Sequence, residues 1–263
     1  MSAEIALAGA CFVLGVVLAS FGNVVIHRVP RGESVVQPPS ACPGCGARVQ
    51  PRDNVPLLSW VLLRGRCRAC GAGISAQYPL VELAGGLLFA SVAARIGLSW
   101  ALPAFLLFTW LLLVVAVIDA RTRRIPNALT YPLTPVLVAL LVLAALLEGD
   151  PWGVLRVVLG GLAAFSALLC IALASPRGMG MGDVKLAASI GAALGYLGWG
   201  HVVLGVFGGF LYGGVTAIAL LLVRRRTRRD LLPFGPYLAA GALTALLFGS
   251  QLIDGYARAT GLA

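Results

Sequence analysis

The chain has 263 residues, of which 59% are hydrophobic and only 11% charged, and its mean hydropathy is +0.93. Soluble globular domains are about 45–50% apolar and about 25% charged, so the composition excludes that class and indicates a polytopic membrane protein. The net charge of +10 does not indicate a nucleic-acid partner, because the basic residues form short clusters between apolar runs. That arrangement is typical of the positive-inside rule.

Eight apolar runs are long enough to cross a bilayer, at about 20 residues each. They lie near 4–26, 79–98, 100–118, 127–147, 152–174, 184–200, 201–223 and 232–253. The first run has no basic segment ahead of it and is long enough to span, so we interpret it as a retained helix rather than a cleaved signal. The sequence therefore predicts an all-α polytopic membrane protein with about eight transmembrane helices.

Basic residues follow the first, third, fifth and seventh of these runs. The clusters are Arg28, Arg31, Arg48, Arg52, Arg64, Arg66 and Arg68; Arg121, Arg123 and Arg124; Arg177 and Lys185; and Arg224, Arg225, Arg226, Arg228 and Arg229. In an eight-helix arrangement they share one face, which the positive-inside rule assigns to the cytoplasm. We therefore expect a multi-pass protein of the cytoplasmic membrane, with both termini outside and anionic lipid headgroups near the basic loops.

Residues 27–78 differ from the rest of the chain, since they are polar and hold four of the six cysteines. The cysteines form two C-x2-C pairs, Cys42/Cys45 and Cys67/Cys70, separated by the twenty-one residues 46–66. Four thiolates at such spacing are typical of a closed tetrahedral zinc site. Two disulfides are disfavoured on a cytoplasmic face, and a redox C-x-x-C pair lacks its usual βαβ context. We expect a small cytoplasmic zinc domain with four cysteine ligands at 27–78, between a first helix at 1–26 and a membrane-embedded domain at 79–263.

Two aspartates stand at the ends of apolar stretches. Asp119 closes the third run, and Asp183 follows the glycine-rich segment 178–182 at the start of the sixth run. The simplest interpretation is that each is an interfacial charge, with Asp119 paired to Arg123 and Asp183 paired to Lys185. An acidic residue within a membrane segment is nevertheless costly, so it is a functional hypothesis by default. Two carboxyls at one membrane face indicate an aspartic hydrolase.

In a carboxyl dyad, one group stays ionised and activates water while the other is protonated and polarises the scissile carbonyl. A helix N-terminus favours an anion and a helix C-terminus disfavours one. This difference predicts Asp183 as the base, although the nearby basic cluster after Asp119 opposes the assignment. We also expect Asn127, which follows Pro126, to cap the next helix.

Together, these motifs resemble the type IV prepilin leader peptidases, which are bacterial peptidases that are also N-methyltransferases. The resemblance runs from about Ser20 to Gly249. It rests on the segments 20–30, 54–60, 64–70, 74–75, 78–82, 118–119, 180–186 and 233–237. Segment 180–183 is the G-x-G-D pattern that is also found in presenilin-like intramembrane proteases.

The resemblance implies that the protein removes the short basic leader of type IV prepilins or pseudopilins at the cytoplasmic membrane face. It then implies methylation of the new N-terminal amine by S-adenosylmethionine. By motif position, Asp119 and Asp183 would be the catalytic residues, and Cys42, Cys45, Cys67 and Cys70 the zinc ligands of the domain tied to methylation. The cofactor-binding residues are not indicated, and neither are the particular prepilins or the oligomeric state.

Two other functions stay open at this point. The protein could be a peptidase only, with the zinc domain as a platform for substrate. It could also be a proton-coupled transporter, although such proteins show repeat symmetry between halves and none is evident here. Glu82, near the start of the second apolar run, could bind a substrate amine, but a salt bridge with an arginine of the first loop is the simpler expectation.

Overall fold

The computed structural model of the protein describes residues 2–175, 178–223 and 232–261, and most of these are helical. The helices are α1 (Ser2–Arg28), α2 (Leu58–Leu62), α3 (Gln77–Ile96), α4 (Leu102–Thr122), α5 (Asn127–Leu147), α6 (Pro151–Ala174), α7 (Met181–Leu197), α8 (Trp199–Leu222) and α9 (Gly235–Thr260). Among the described residues there is no β-strand, and only two isolated antiparallel bridges occur, Ala41 with Arg48 and Arg66 with Gly73.

The predicted all-α membrane architecture is confirmed. Within the described ranges, seven of the eight long helices are long and apolar enough to cross a membrane. The eighth, α7, has only 17 residues. It ends close to the predicted boundary between the runs 184–200 and 201–223, because Gly198, with a φ of +135°, breaks the helix before α8 begins. The basic residues Arg177, Arg224, Arg225, Arg226, Arg228 and Arg229, on which part of the predicted orientation depends, lie outside the described residues.

The chain forms two compact units, Met1–Ala94 and Arg95–Ala263. In the first unit, α1 and α3 pack through small residues. A Cβ added to Gly85 would lie 2.4 Å from the Ala19 Cβ, and one added to Gly15 would lie 2.4 Å from the Gly85 carbonyl oxygen. Membrane helices associate by close van der Waals contact, because lipid provides no hydrophobic driving force between them. Glycine at these positions is therefore what brings the two helices together.

In the second unit, α7 packs against every other helix, namely α4, α5, α6, α8 and α9. Its contact with α6 is again backbone to backbone, since a Cβ on Gly191 would lie 2.1 Å from the Gly160 carbonyl oxygen. Helices α8 and α9 meet in the same way at Gly205 and Gly241. The contact between α7 and α6 thus leaves no room for a side chain at Gly191.

Candidate active site and metal centre

Asp119 lies in the last turn of α4 and is only 5% exposed. The helix continues to Thr122, one turn further than the apolar run predicts. Arg123 then adopts a left-handed conformation (φ +53°), and its N–H donates to the Asp119 carbonyl oxygen at 2.8 Å. This single residue ends the helix, and the chain then leads into α5.

The carboxylate of Asp119 accepts a hydrogen bond from the backbone N–H of Gly235, with a distance of 2.9 Å to Oδ2. Gly235 is the first residue of α9. The first N–H groups of a helix have no partner within it, so they are free to donate to an anion. Sequence reasoning assigned no role to Gly235. The only signal for it was the segment 233–237, whose pattern resembles the leader peptidases.

Asp183 lies in the first turn of α7 and is 9% exposed. Its Oδ1 atom is buried and has no hydrogen-bond partner within the described chain. On the other side of the carboxyl group, a Cβ on Gly180 would lie 3.3 Å from Oδ2. That distance is tighter than an ordinary contact, so a side chain at Gly180 would crowd the carboxyl group. Within the described chain, Oδ1 is therefore a buried acceptor without a donor.

Both carboxyl groups line one pocket of about 260 Å³. Its lining consists of Asp119, Arg123, Arg124, Ile125, Gly180, Gly182 and Asp183. Gly182 allows this arrangement, because a Cβ at that position would lie 2.8 Å from the Cβ of Ile125. The first glycine of the G-x-G-D segment therefore leaves space for the carboxyl group, and the second lets the segment after Asp119 approach α7. Two carboxyls around one pocket can share a proton and act on a water molecule between them.

The ion pairs expected for isolated interfacial charges do not form. Among the described residues neither aspartate has a salt bridge, and Lys185 donates instead to the side-chain oxygen of Asn127 at 2.9 Å. The Lys185 ammonium also lies 4.7 Å from the centroid of the Tyr131 ring. The predicted capping role of Asn127 is wrong, because Asn127 is the first residue of α5 and its side-chain oxygen is bound to Lys185.

The four cysteines of the first loop come together. Each pair sits in a tight turn of the same design: Gly46 N–H donates to Cys42 and Gly71 N–H donates to Cys67, both at 2.9 Å. Both glycines are left-handed, with φ of +72°. The four Sγ atoms lie within 4.8 Å of one another, and none of the cysteines is in a disulfide. The four cysteines could therefore hold a metal ion.

The geometry of the cluster fits a metal bound by thiolates. The Sγ atoms of Cys42 and Cys70 are 3.8 Å apart, and the edge of a tetrahedron with Zn–S bonds of about 2.3 Å is about 3.8 Å. Backbone N–H groups of Gly44 and Cys45 lower the pKa of Cys42 to about 7, which favours the thiolate that a metal requires. A bidentate ion pair between Arg68 and Asp53 stabilises the turn that holds Cys67 and Cys70. Its shortest distance, from Arg68 Nη2 to Asp53 Oδ1, is 2.7 Å.

Glu82 differs from the sequence expectation. It is buried, at 6% exposure, and its Oε2 accepts the backbone N–H of Leu57 at 2.8 Å. Leu57 precedes α2 and has a φ of +62°, which is strained for a leucine. The expected salt bridge between Glu82 and an arginine is not present among the described residues.

Comparison with known proteins gives a consistent result. A family model described as the bacterial peptidase A24 N-terminal domain matches residues 13–96, and one described as the type IV leader peptidase family matches residues 106–220. The chain is 37% identical to a prepilin leader peptidase/N-methyltransferase of Stutzerimonas stutzeri, over 93% of this chain and 91% of that protein. Proteins with the same name are 35% identical in Pseudomonas aeruginosa, over 94% and 92%, and 36% identical in Bacillus subtilis, over 93% and 96%. No solved structure matches the chain.

Proposed function

Because the chain belongs to the type IV leader peptidase family, we propose that it removes the leader from type IV prepilins or pseudopilins and then methylates the new N-terminal amine. The observation that carries the peptidase half is the pocket shared by Asp119 and Asp183. We propose these two residues as the catalytic pair. Neither carboxyl is neutralised by a salt bridge within the described chain, so both are available for chemistry.

The hydrogen bonds of the pair suggest their roles. Asp119 receives the N–H of Gly235, which supports an ionised carboxylate, whereas the buried Oδ1 of Asp183 has no donor among the described residues. An ionised oxygen without a donor is costly to bury. We therefore assign Asp119 as the base and Asp183 as the protonated acid. This reverses the assignment from helix ends alone, because the N-terminus of α9 supplies Asp119 with the N–H that its own helix end cannot.

Cleavage then follows in two steps. Asp119 takes a proton from water as the water oxygen attacks the scissile carbonyl carbon, and Asp183 gives its proton to the carbonyl oxygen. The tetrahedral intermediate then collapses: the C–N bond breaks, the leaving amine takes the proton held by Asp119, and a hydroxyl of the intermediate returns a proton to Asp183, which leaves the carboxylic acid product and restores the pair. Deep burial of both groups limits competing water, which strengthens their electrostatic effect on the reacting atoms.

For the methyltransferase half, we propose that residues 27–78 form the zinc-binding domain, with Cys42, Cys45, Cys67 and Cys70 as structural ligands. The tetrahedral edge length and the unbonded sulfurs support this choice of metal. When bound, zinc would hold the two cysteine turns together in a segment too small to build much core alone. S-adenosylmethionine is the methyl donor that this activity requires.

We further propose that the protein is a multi-pass protein of the bacterial cytoplasmic membrane, with both termini outside and the zinc domain in the cytoplasm. The basic residues of the loops support this orientation. The pocket also lies where α4 ends and α7 begins, which suits a cleavage point at the membrane face. The substrate contributes an apolar helix, so docking relies on the bilayer and on apolar helix faces.

Mass spectrometry of a model prepilin, incubated with purified protein with and without S-adenosylmethionine, tests the proposal. We expect loss of the leader and a cofactor-dependent gain of one methyl group. Asp119→Asn and Asp183→Asn should each abolish cleavage, whereas Cys42→Ser/Cys45→Ser should abolish methylation. Cleavage without methylation by the zinc-loaded wild type would favour a peptidase with a structural zinc domain. No cleavage of several prepilins by folded protein would reopen the transporter alternative.

A further inference from the structure

Two buried polar side chains in the first unit have no part in the chemistry described so far. Asn23 on α1 is 2% exposed and Glu82 on α3 is 6% exposed. Polar residues inside membrane helices are costly, and they persist where they bind or react. Both lie in the unit that also holds the four-cysteine cluster.

The register of α1 against α3 places the two side chains at the same level. Asn23 Nδ2 donates to the Tyr78 carbonyl oxygen at 3.1 Å. One turn earlier on α1, Ala19 meets α3 at Gly85. Glu82 lies between Tyr78 and Gly85 on the same face of α3, one turn from the former. It therefore stands beside the turn of α1 that runs from Ala19 to Asn23.

Most of the unused hydrogen-bonding capacity of the pair consists of acceptors. Asn23 Oδ1 is buried without a partner among the described residues, while one N–H of the amide donates to the Tyr78 carbonyl oxygen. In the part of the chain that the structure describes, Glu82 accepts only from Leu57 N–H, through Oε2, and forms no salt bridge. A buried carboxylate and a buried amide oxygen require donors, and a carboxylate also favours a positive charge. The ligand that fits is a small cation with several N–H groups.

A primary ammonium has this chemistry, with three N–H donors and a unit charge. A sulfonium centre is also cationic but has no N–H donor, so it would leave Asn23 Oδ1 without a partner. Arginine side chains of the same unit do not fill the site. Where the structure shows their contacts, Arg28 donates to carbonyl oxygens of Ser34 and Pro38, and Arg68 pairs with Asp53.

We propose that Glu82 and Asn23 form the subsite that binds the N-terminal ammonium of the cleaved substrate, and that Glu82 accepts a proton from it before methylation. This inference rests on the proposed methyltransferase function. The carboxylate takes one proton and leaves a neutral amine, whose lone pair attacks the methyl carbon of a sulfonium donor. The C–S bond breaks, its electron pair stays on sulfur to give a thioether, and the secondary ammonium leaves as the product.

The contact between Glu82 and Leu57 explains why this subsite belongs with the cysteine domain. Leu57 is strained at a φ of +62°, and its N–H points at the Glu82 carboxylate. The loop after the first cysteine pair is thereby tied to the membrane helix that carries the proton acceptor. A change of glutamate to glutamine preserves an oxygen for the Leu57 N–H but removes the charge and the basicity. The Glu82→Gln variant therefore distinguishes a structural role of Glu82 from a chemical one.

The experiment compares wild type, Glu82→Gln and the control Glu33→Gln, which changes an exposed glutamate of the same unit. For Glu82→Gln, we expect cleavage within about twofold of wild type and methylation lowered by about 100-fold, the lower end for loss of a general base. The defect should shrink as pH rises. An α-amine has a pKa near 7.7–8.0, so its neutral fraction grows roughly six- to tenfold between pH 7 and pH 9.

A binding measurement tests the inference without methylation. Wild type should bind the cleaved peptide with a free amine more tightly than the same peptide acetylated at its N-terminus, and Glu82→Gln should lose that preference. Equal binding of the two peptides by wild type would overturn the inference, even if methylation is observed. Weaker binding of S-adenosylmethionine alone in the variant would assign the ammonium to the methyl donor and overturn it too. Loss of both cleavage and bound zinc would show a structural role only.

Methylation by Glu82→Gln at the wild-type rate would likewise refute the role of Glu82. Failure of wild type to methylate any cleaved peptide is a different result. It would remove the methyltransferase half of the proposed function, and the comparison of free and acetylated peptides would still decide whether an ammonium binds at Glu82 and Asn23.

Discussion

Gly235→Ala is the substitution that tests the active-site geometry most directly. A methyl group at this position would lie 2.8 Å from Asp119 Oδ2 and 3.2 Å from the Cβ and Cγ atoms of Asp119. Contacts under about 3 Å are not tolerated, so the carboxyl group or the start of α9 has to move. Either movement lengthens the 2.9 Å hydrogen bond from Gly235 N–H to Oδ2.

The size of the effect follows from that hydrogen bond. A hydrogen bond to a charged group contributes about 1.5–3 kcal/mol, and a factor of ten in rate corresponds to about 1.4 kcal/mol. If the bond supports the ionised base during cleavage, its loss lowers kcat by roughly 10- to 150-fold. The effect on the free energy of unfolding should be smaller, because two contributions oppose each other. Alanine favours a helix over glycine by about 1 kcal/mol, whereas the position of residue 235 before Pro236 disfavours helical backbone angles for alanine.

The assay is the initial rate of leader removal, measured at equal amounts of folded protein. Gly214→Ala is the matched control, since its added Cβ would have no atom within 4 Å and it lies in α8 of the same unit. We expect the control to cleave at the wild-type rate. Cleavage by Gly235→Ala within about threefold of wild type, with an unchanged thermal midpoint, would show that the Asp119 contact is not needed for the reaction.

Three further predictions concern other parts of the molecule. Lys185→Met removes the hydrogen bond to Asn127 and the contact with the Tyr131 ring, so it should lower the free energy of unfolding by about 1–3 kcal/mol. Thermal unfolding in detergent measures the loss, and Lys185→Arg should recover part of the stability. Cys42→Ser removes one of four sulfurs, and metal analysis after dialysis against a chelator should show wild type retaining its zinc while the variant loses most of it. The Gly153 N–H, followed by the Arg156 guanidinium, holds the pKa of Asp150 below its ordinary value. The stability that its ionised form provides is therefore present above the unfolded pKa of about 3.9 and is lost as pH falls through the lower folded value. Asp150→Ala should accordingly unfold earlier than wild type at pH 7, and a difference that persists unchanged near pH 2 would contradict this account.

The fold could be predicted from the sequence because hydropathy alone decides which segments enter a membrane. The predicted runs fall on the long helices, with ends shifted by a few residues, as at α9, which extends to Thr260 rather than 253. The cysteine cluster was also predictable, since the two pairs carry their own turns with Gly46 and Gly71 in the required conformation. These features depend on local sequence.

The contacts that organise the site depend on distant residues, and the sequence could not indicate them. Gly235 reaches Asp119 across 116 positions of the chain, and no periodicity links the two. Lys185 was expected to pair with its close neighbour Asp183, yet it bonds to Asn127 on another helix. Glu82 was expected to meet an arginine and instead binds a backbone N–H. Charge complementarity along the chain is therefore a poor guide where another polar group, from the backbone or from a neighbouring helix, lies nearer in space.

The short length of α7 has a consequence for where the reaction takes place. At 1.5 Å per residue, its 17 residues span about 26 Å, less than the roughly 30 Å of a bilayer's hydrocarbon core. A helix facing lipid would have to thin the bilayer to match, but α7 is surrounded by α4, α5, α6, α8 and α9, so hydrophobic mismatch does not act on it. The depth of Asp183 in the membrane is then fixed by protein contacts. The hydrophobic lengths of the five surrounding helices, not that of α7, have to match the thickness of the bilayer. Cleavage should consequently occur at the same bond of the substrate in bilayers of different thickness, even where the rate changes.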